Sequence, residues 1–373
     1  MPQPRGTPVR ILRLSQAIAR RGHEVHLVTY PLGDGPLPSE LAVHRIPRIP
    51  TYRKRTPGPS LQKLLLLDPL LAAALGRVLR QGRFDVIHAH HYEGLIAARI
   101  GAAGAGVPIV YDAHTLLASE LPSYRVGLRH DWKKGIGARL DRWLPRQADH
   151  VIAVTEAIRT KLVAAGVSPD RVTVASQGIE DEFFGGNGAV PGEEARAEPM
   201  EAAEVPRGTS LVYAGNLARY QGIELLLDAF RRVRERRPNV RLRILSRSSF
   251  APYEELAQRL GVRGAIELVP AGVDELPGLL RAADVALNPR VDCDGIPIKL
   301  LNYMATARPI VSFAGSAPVL RHDESALLVA DGDTAAFAAA VLDLLGDPVR
   351  AARLGQRGRR YAEDHHRWAS IAA

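Results

Sequence analysis

Short unbroken apolar runs alternate along this chain with stretches in which apolar residues recur every three or four positions. Ile11, Leu12, Leu14, Ala17 and Ile18 fall at helical spacing, and Gly22 stops the helix. Residues 25–29 follow as a strand. Residues 84–89 (FDVIHA) and 107–111 are continuous apolar runs, the pattern of strands buried on both faces in a parallel sheet. Residues 149–154 predict a further strand, and Thr155 an N-cap for a helix that reaches Ala165 and stops at Gly166. A strand at 172–175 closes this half. Residues 184–208, rich in Gly, Pro, Glu and Ala, carry no period and predict a linker or long loop. The alternation then restarts, with strands at 210–214, 240–246, 265–269, 283–288 and 309–313. The helices between and after them fall at 222–236, 252–260, 274–282, 297–305 and 333–346.

This order predicts an α/β protein of two facing Rossmann-like domains. Ligands are expected outside the carboxyl ends of the strands, in an interdomain cleft. The expected divisions are 1–183, the linker 184–208, 209–345, and C-terminal helices over 346–373 that return to the first domain. The length of 373 residues agrees with two domains, and 46% hydrophobic with 24% charged residues excludes wholesale disorder. The single cysteine, Cys293, cannot form a disulfide within the chain. The most apolar stretch, 64–75, is broken by Asp68 and Pro69 and falls short of the roughly 20 residues a bilayer span needs. No secretory leader pattern opens the chain, so a cytoplasmic protein is expected.

Charge adds one asymmetry. Residues 1–180 hold 25 Lys and Arg against 14 Asp and Glu, a net +11, whereas the remainder holds 24 against 26. A basic half suits an anionic membrane surface, a phosphorylated ligand or nucleic acid. Nucleic acid is set aside, because no aromatic-studded basic surface or binding motif accompanies the charge. Arg53-Lys54-Arg55 precedes an apolar helix candidate at 61–79, and Arg129, Lys133 and Lys134 add charge. Together they suggest peripheral contact with the inner face of an anionic membrane; the alternative is that the leucines pack on the sheet.

The most informative stretch is Asp294-Gly295-Ile296-Pro297-Ile298-Lys299, which runs on through Asn302 to Ala305. A loop with Gly295 and Pro297 opens an apolar helix, and the free amides of such a helix start bind phosphate or sugar oxygens. Asp294 and Asn302 are eight residues apart, so both can face one ligand. The plain alternative is a capped core helix.

This segment resembles the signature of the retaining nucleotide-sugar glycosyltransferases of family 4, the group 1 transferases of GT-B fold. ARRGHEVHLVTYP, FDVIHAHHYEG, VPIVYDAHTLLASEL, ADHVIAVTEAIRTKL and LVYAGNLARYQGIELLLDAF resemble further segments of that family in the right order. The resemblance implies transfer of a sugar from a nucleotide-diphosphate donor to an acceptor hydroxyl, with anomeric retention and no bound metal or other cofactor. Asp294 would approach the reacting centre, the 295–297 backbone would hold sugar hydroxyls or diphosphate, and Asn302 would bond the ribose. His114, in YDAH, would lie near the donor sugar, and Gly6 would let the N-terminal loop approach the donor. The acceptor stays open among glycan, lipid-linked and small-molecule classes.

Several positions depart from the family pattern. Asp294 and Asn302 stand where the family has two glutamates. In the loop of 215–222, Asn216 and Gln221 replace the Arg and Lys that would contact the diphosphate. A diphosphate leaving group needs positive charge or oriented amides. Lys299, Arg219, Arg247 and Arg290 are the candidates, and Lys299 is preferred for its place in the signature helix. The family's first strand has no counterpart ahead of Gly6, so the natural start is expected upstream. His88, His90 and His91 look like metal ligands, but strand-end structural or substrate contacts suit them better. His90, Glu93 and Glu120 are acceptor-side candidates. Two rival readings accompany the transferase: a non-catalytic nucleotide-sugar-binding protein, and an epimerase or phosphorylase of the same fold.

Overall fold

The computed structural model describes residues 6–31, 39–49, 52, 63–121, 130–185, 209–272, 274–293 and 295–373. The chain divides into two units, Met1–Gly178 with Ile371–Ala373, and Ile179–Ser370. The stretch 186–208, most of the expected linker, lies outside the described residues, as do Arg53, Lys54, Arg55 and Arg129.

In the first unit α1 (Gly6–Arg20) leads to β1 (His26–Thr29), which pairs in parallel with β2 (Ala42–Arg45). The second of these strands has no counterpart in the sequence expectation. A π-helical turn over Lys63–Leu67 enters α2 (Asp68–Gln81). Then come β3 (Ile87–His90), α3 (His91–Gly101), β4 (Ile109–Ala113), α4 (Leu117–Glu120), α5 (His130–Trp143), β5 (His150–Ala153), α6 (Glu156–Ala164) and β6 (Val172–Val174). Thr155 caps α6 as expected, its Oγ1 accepting from the Ile158 amide at 3.2 Å. Strands β3 to β6 form one parallel sheet in sequential order. Leu67 and Leu71 of the apolar stretch are buried in a small core with Ala97 of α3, whereas Leu65 and Leu66 are exposed.

Period-two alternation sorts the chemistry in this sheet. Ile87, Ala89, Ile109, Tyr111 and Ala113 enter the core shared with Leu95 and Ala98 of α3. His88, His90 and Asp112 therefore point to the other face, and the register sets His90 beside Asp112.

In the second unit the chain runs through β7 (Ser210–Ala214), α7 (Ile223–Arg236), β8 (Arg241–Leu245), α8 (Ala251–Arg259), β9 (Ile266–Val269) and α9 (Leu276–Arg281). It continues through β10 (Val285–Asn288), α10 (Ile298–Ala305), β11 (Ile310–Phe313), β12 (Leu327–Val329), α11 (Thr334–Gly346), α12 (Pro348–His366) and α13 (Trp368–Ile371). Ten of these elements lie within a residue or two of the expected ones; α12 and α13 fall in the stretch expected as C-terminal helices, and β12 is an addition. Of the stretch expected as 346–373, helix α12 packs on α10 of this unit, and Ile371–Ala373 groups with the first unit.

The six strands are parallel in the order β12-β11-β10-β7-β8-β9. Chain direction across the sheet reverses between β7 and β10, the switch point at which ligands bind in doubly wound sheets. Every residue of β7 is buried: Leu211 and Tyr213 face one core with α7 and α11, and Val212 and Ala214 face the other with α10. The ladder between β7 and β10 couples Leu211 with Val285 and Val212 with Ala286. Beyond it the Tyr303 hydroxyl, sent in from α10, accepts from the Ala214 amide at 2.7 Å and donates to the Leu287 carbonyl at 3.4 Å. One phenol thus fixes α10 against the ends of both central strands.

Replacing that phenol by Phe leaves the buried Ala214 amide without its acceptor. Tyr303→Phe should cost about 1–3 kcal/mol of stability in urea unfolding. A midpoint equal to wild type would contradict this role.

Candidate functional site

The switch point gathers two loops. The first follows β7 and includes Gly215, Asn216, Arg219 and Gln221. Gly222, at φ +74°, closes it, and a Cβ there would collide with the Pro289 carbonyl, so only glycine permits this approach to the loop after β10. The Asn216 carboxamide is spent locally: Oδ1 accepts from the Ala218 amide at 3.1 Å and Nδ2 donates to the Tyr220 hydroxyl at 3.1 Å. Arg219 is exposed, while Gln221 is buried.

The second loop follows β10 and opens α10. Asn288 anchors its start, Nδ2 donating to Ser312 Oγ and Ser316 Oγ at 2.8 Å each. Ser316 in turn donates to the Arg290 carbonyl at 2.5 Å. Asp294 lies outside the described residues. Gly295, Ile296 and Pro297 lead into the first turn of α10, whose amides have no partner four residues back.

Lys299 joins the two loops. Its Nζ donates to Gln221 Oε1 at 2.6 Å and to the Tyr213 hydroxyl at 3.1 Å, and stands 4.2 Å from the Tyr213 ring centre. Tyr213 passes its own proton to the Asn216 carbonyl at 2.7 Å. Burial, with the nearby Arg290 cation adding to it, brings the ammonium down to about 7. Of the other cations considered, Arg290 donates to the Asp292 carbonyl and lies 5.0 Å from the Tyr220 ring centre. Arg247 is exposed. Asn302, one helical turn beyond Lys299, is buried, and its Oδ1 has no hydrogen-bond partner among the described residues.

The first unit holds a second cluster. Arg10 of α1 is 1% exposed and Asp112 is fully buried. The guanidinium donates to Asp112 Oδ2 through Nη2 at 2.9 Å and Nε at 3.1 Å, and to the Ala175 and Ser176 carbonyls at 2.9 and 2.5 Å. His88 Nε2 and His90 Nδ1 each stand 3.5 Å from the same carboxylate oxygen, and His90 Nδ1 lies 3.3 Å from His114 Nε2. The rings of His88 and His90 stack with centres 4.3 Å apart, as residues two apart on one strand can. Burial lowers His90 to about 4 and His114 to about 3, so both are neutral. Burial alone would raise Asp112; the His88 and His90 contacts and the Arg10 cation outweigh it and hold the carboxyl well below its usual range.

His88, His90 and Asp112 bring ligand-type atoms within 4.8 Å of one another. The Arg10 guanidinium already takes the carboxylate oxygen and its charge, so the arrangement is that of an ion-pair hub. Glu93 pairs with Lys63 at 2.7 Å and approaches His91 Nδ1 at 3.7 Å. Gly6 is the first residue of α1, and Glu120 the last of α4. The structure thus brings His90 and His114 together, and joins Gln221 to Lys299. Sequence reasoning passed over Arg10, Asp112, Tyr213 and Asn288. Only Asp112 carried a signal, a carboxylate inside an apolar strand run; the other three become visible through long-range contacts alone.

The neutral imidazoles set a pH dependence. The unfolded chain protonates both histidines near pH 6.5, whereas the native site holds them neutral down to about 4 and 3. Between those limits the unfolded state binds more protons, so stability falls as pH falls, by about 1.4 kcal/mol per pH unit for each histidine. Unfolding measured between pH 7 and 5 should show this slope, and His90→Gln should reduce it. An identical slope in the variant would contradict the assignment.

Comparison with known proteins gives the family and the fold. Residues 4–183 match the model of Glycosyltransferase Family 4, and residues 208–347 match that of Glycosyl transferases group 1. A D-inositol 3-phosphate glycosyltransferase of Corynebacterium efficiens is 30% identical over 82% of this chain and 74% of its own length. The sucrose-phosphate synthase of Thermosynechococcus elongatus superposes with a TM-score of 0.76 at 20% identity, over 99% of this chain and 91% of that one. HepE of Anabaena, solved with UDP and glucose, superposes with a TM-score of 0.71 at 17% identity, over 100% of this chain and 95% of that one. The fold is GT-B, built from two Rossmann-like domains. The chain belongs to the family 4, group 1 glycosyltransferases, enzymes that transfer a sugar from a nucleotide-diphosphate donor.

Proposed function

We propose that the donor diphosphate sits on the first turn of α10 beside Lys299, and that transfer to the acceptor hydroxyl retains the anomeric configuration. The observation that carries this reading is the buried Lys299 ammonium, held by Gln221 and Tyr213 at the β7–β10 switch point. The loop has lost both of its expected cations, and Lys299 supplies one from the helix instead. A buried cation and aligned amides stabilise the charge that grows on the departing diphosphate.

The remaining roles follow the resemblance. Asp294 approaches the transferred sugar, the Gly295, Ile296 and Pro297 backbone holds sugar or phosphate oxygens, and Asn302 bonds the ribose through its unpartnered Oδ1. Asn216, Arg219 and Gln221 shape the donor loop, and Gly6 serves the donor from the first unit. His114 serves the sugar, and His90, Glu93 and Glu120 serve the acceptor. The leaving phosphate takes the proton of the incoming hydroxyl.

The acceptor belongs to glycan or glycolipid synthesis, at the cytoplasmic face of a membrane. The basic first half favours an anionic acceptor or surface. The inositol phosphate named for the Corynebacterium relative has the same chemistry. No helix among the described residues is long and apolar enough to cross a membrane.

Thermal-shift screening against UDP-, GDP-, ADP- and dTDP-sugars should find one stabilising donor, with nucleotide release that depends on acceptor. Product NMR should show the donor's anomeric configuration; inversion would refute retention. Lys299→Met should lower turnover at least tenfold. Free Lys299 loses its proton near pH 7, so donor affinity should weaken as pH rises from 6 to 8.5. Lys299→Arg should flatten that profile, because guanidinium stays charged. Wild-type kinetics in Lys299→Met would exclude the role.

A further inference from the structure

Helix α5 has one face fixed and another left bare. Gly137 presses its backbone against α4, and a Cβ there would lie 2.6 Å from the Leu117 carbonyl oxygen and 2.7 Å from Ala118 Cα. Asp141 accepts from the Leu117 and Ala118 amides at 2.7 and 2.8 Å, completing the N-terminus of α4. These contacts set the rotation of α5 about its axis.

On the side that this rotation leaves open, Trp132 is 67% exposed, Trp143 57% and Ile136 37%. Positions 132, 136 and 143 are spaced by four and seven, so at 100° per residue they form one stripe along the helix. Gly135, Ala138, Arg139 and Arg142 occupy the rest of that side, with Asp131 as its one acid; Lys134 is exposed on the opposite side of the helix. Two bare indoles in line forfeit the burial that such large side chains ordinarily gain. An indole stripe flanked by cations is the composition that lies in the headgroup region of a bilayer. The sign of the charge selects the lipid: the half of the chain that bears α5 carries a net +11.

We propose that the Trp132–Ile136–Trp143 stripe of α5, with Arg139 and Arg142, docks the first unit on an anionic phospholipid surface. This deepens the reading above, because it names the surface at which the acceptor is met. It also moves the contact from the leucine stretch, partly buried here, to a helix from which the sequence reading took only the charges of Lys133 and Lys134.

The test is co-sedimentation of the full chain with vesicles of phosphatidylcholine containing 30% phosphatidylglycerol, without donor or acceptor. Wild type should bind, lose binding in 0.5 M NaCl, and show little binding to phosphatidylcholine alone. Of the three tryptophans, Trp368 is buried, so fluorescence reports on α5; binding should shift emission to the blue and permit quenching by brominated lipid. Trp132→Ser with Trp143→Ser, and separately Arg139→Gln with Arg142→Gln, should each weaken binding at least tenfold. Both should keep the wild-type unfolding temperature and donor-induced shift. Donor binding is read without vesicles, so either proposal can fail alone. Absence of wild-type binding to anionic vesicles would overturn the docking. So would unchanged binding in both variants, or a solution dimer that the tryptophan variant dissociates, which would assign the stripe to a second copy of the chain.

Discussion

The second unit turns on one buried cation. Lys299 has to be charged to serve a diphosphate, yet burial works against the charge, and the ammonium titrates near neutrality. Its neighbours are chosen accordingly: a carboxamide oxygen, a phenol oxygen and an aromatic face, none of them anionic. A carboxylate would neutralise the site, whereas neutral acceptors position the ammonium and leave its charge for a ligand. Asn288 fixes the loop ahead of α10, Tyr303 fixes the helix to both central strands, and Gly222 lets the two loops approach.

The first unit makes the opposite choice. Its buried cation, Arg10, meets a carboxylate directly and spends its remaining donors on two backbone carbonyls. Nothing of that charge is left for a ligand. The pair instead ties α1 to β4 and to the chain after β6, beside imidazoles that their own burial keeps neutral. Breaking such a pair from one side strands a charge, a cost of about 3–5 kcal/mol. Two buried cations of one chain thus do different work, and the difference lies in the charge of what each one touches.

Much of the second unit was legible because its strands are buried on both faces and its helices are strongly amphipathic. Unbroken apolar runs alternate cleanly with the 3.6 period from β7 to β11. The short strands β2 and β12 were not read from the sequence. In the site, the preference for Lys299 could be read from its place in the signature helix and from the loss of cations at positions 216 and 221. Its burial and its partner Gln221 could not, because they depend on contacts between residues 78 apart in sequence. The exposed stripe on α5 was hidden for a related reason. Tryptophans in a helical pattern suggest core, and only the seating of Gly137 and Asp141 reveals that they face outward.

The central claim, a diphosphate bound to a lysine that is half deprotonated near neutral pH, predicts that binding takes up a proton. Calorimetric titration at pH 8, in two buffers of different ionisation enthalpy, measures that uptake for the nucleoside diphosphate that binds most tightly. Wild type should take up close to one proton per site, and Lys299→Met should take up none and bind more weakly. Equal affinity in the two proteins, with no proton taken up by either, would contradict the account.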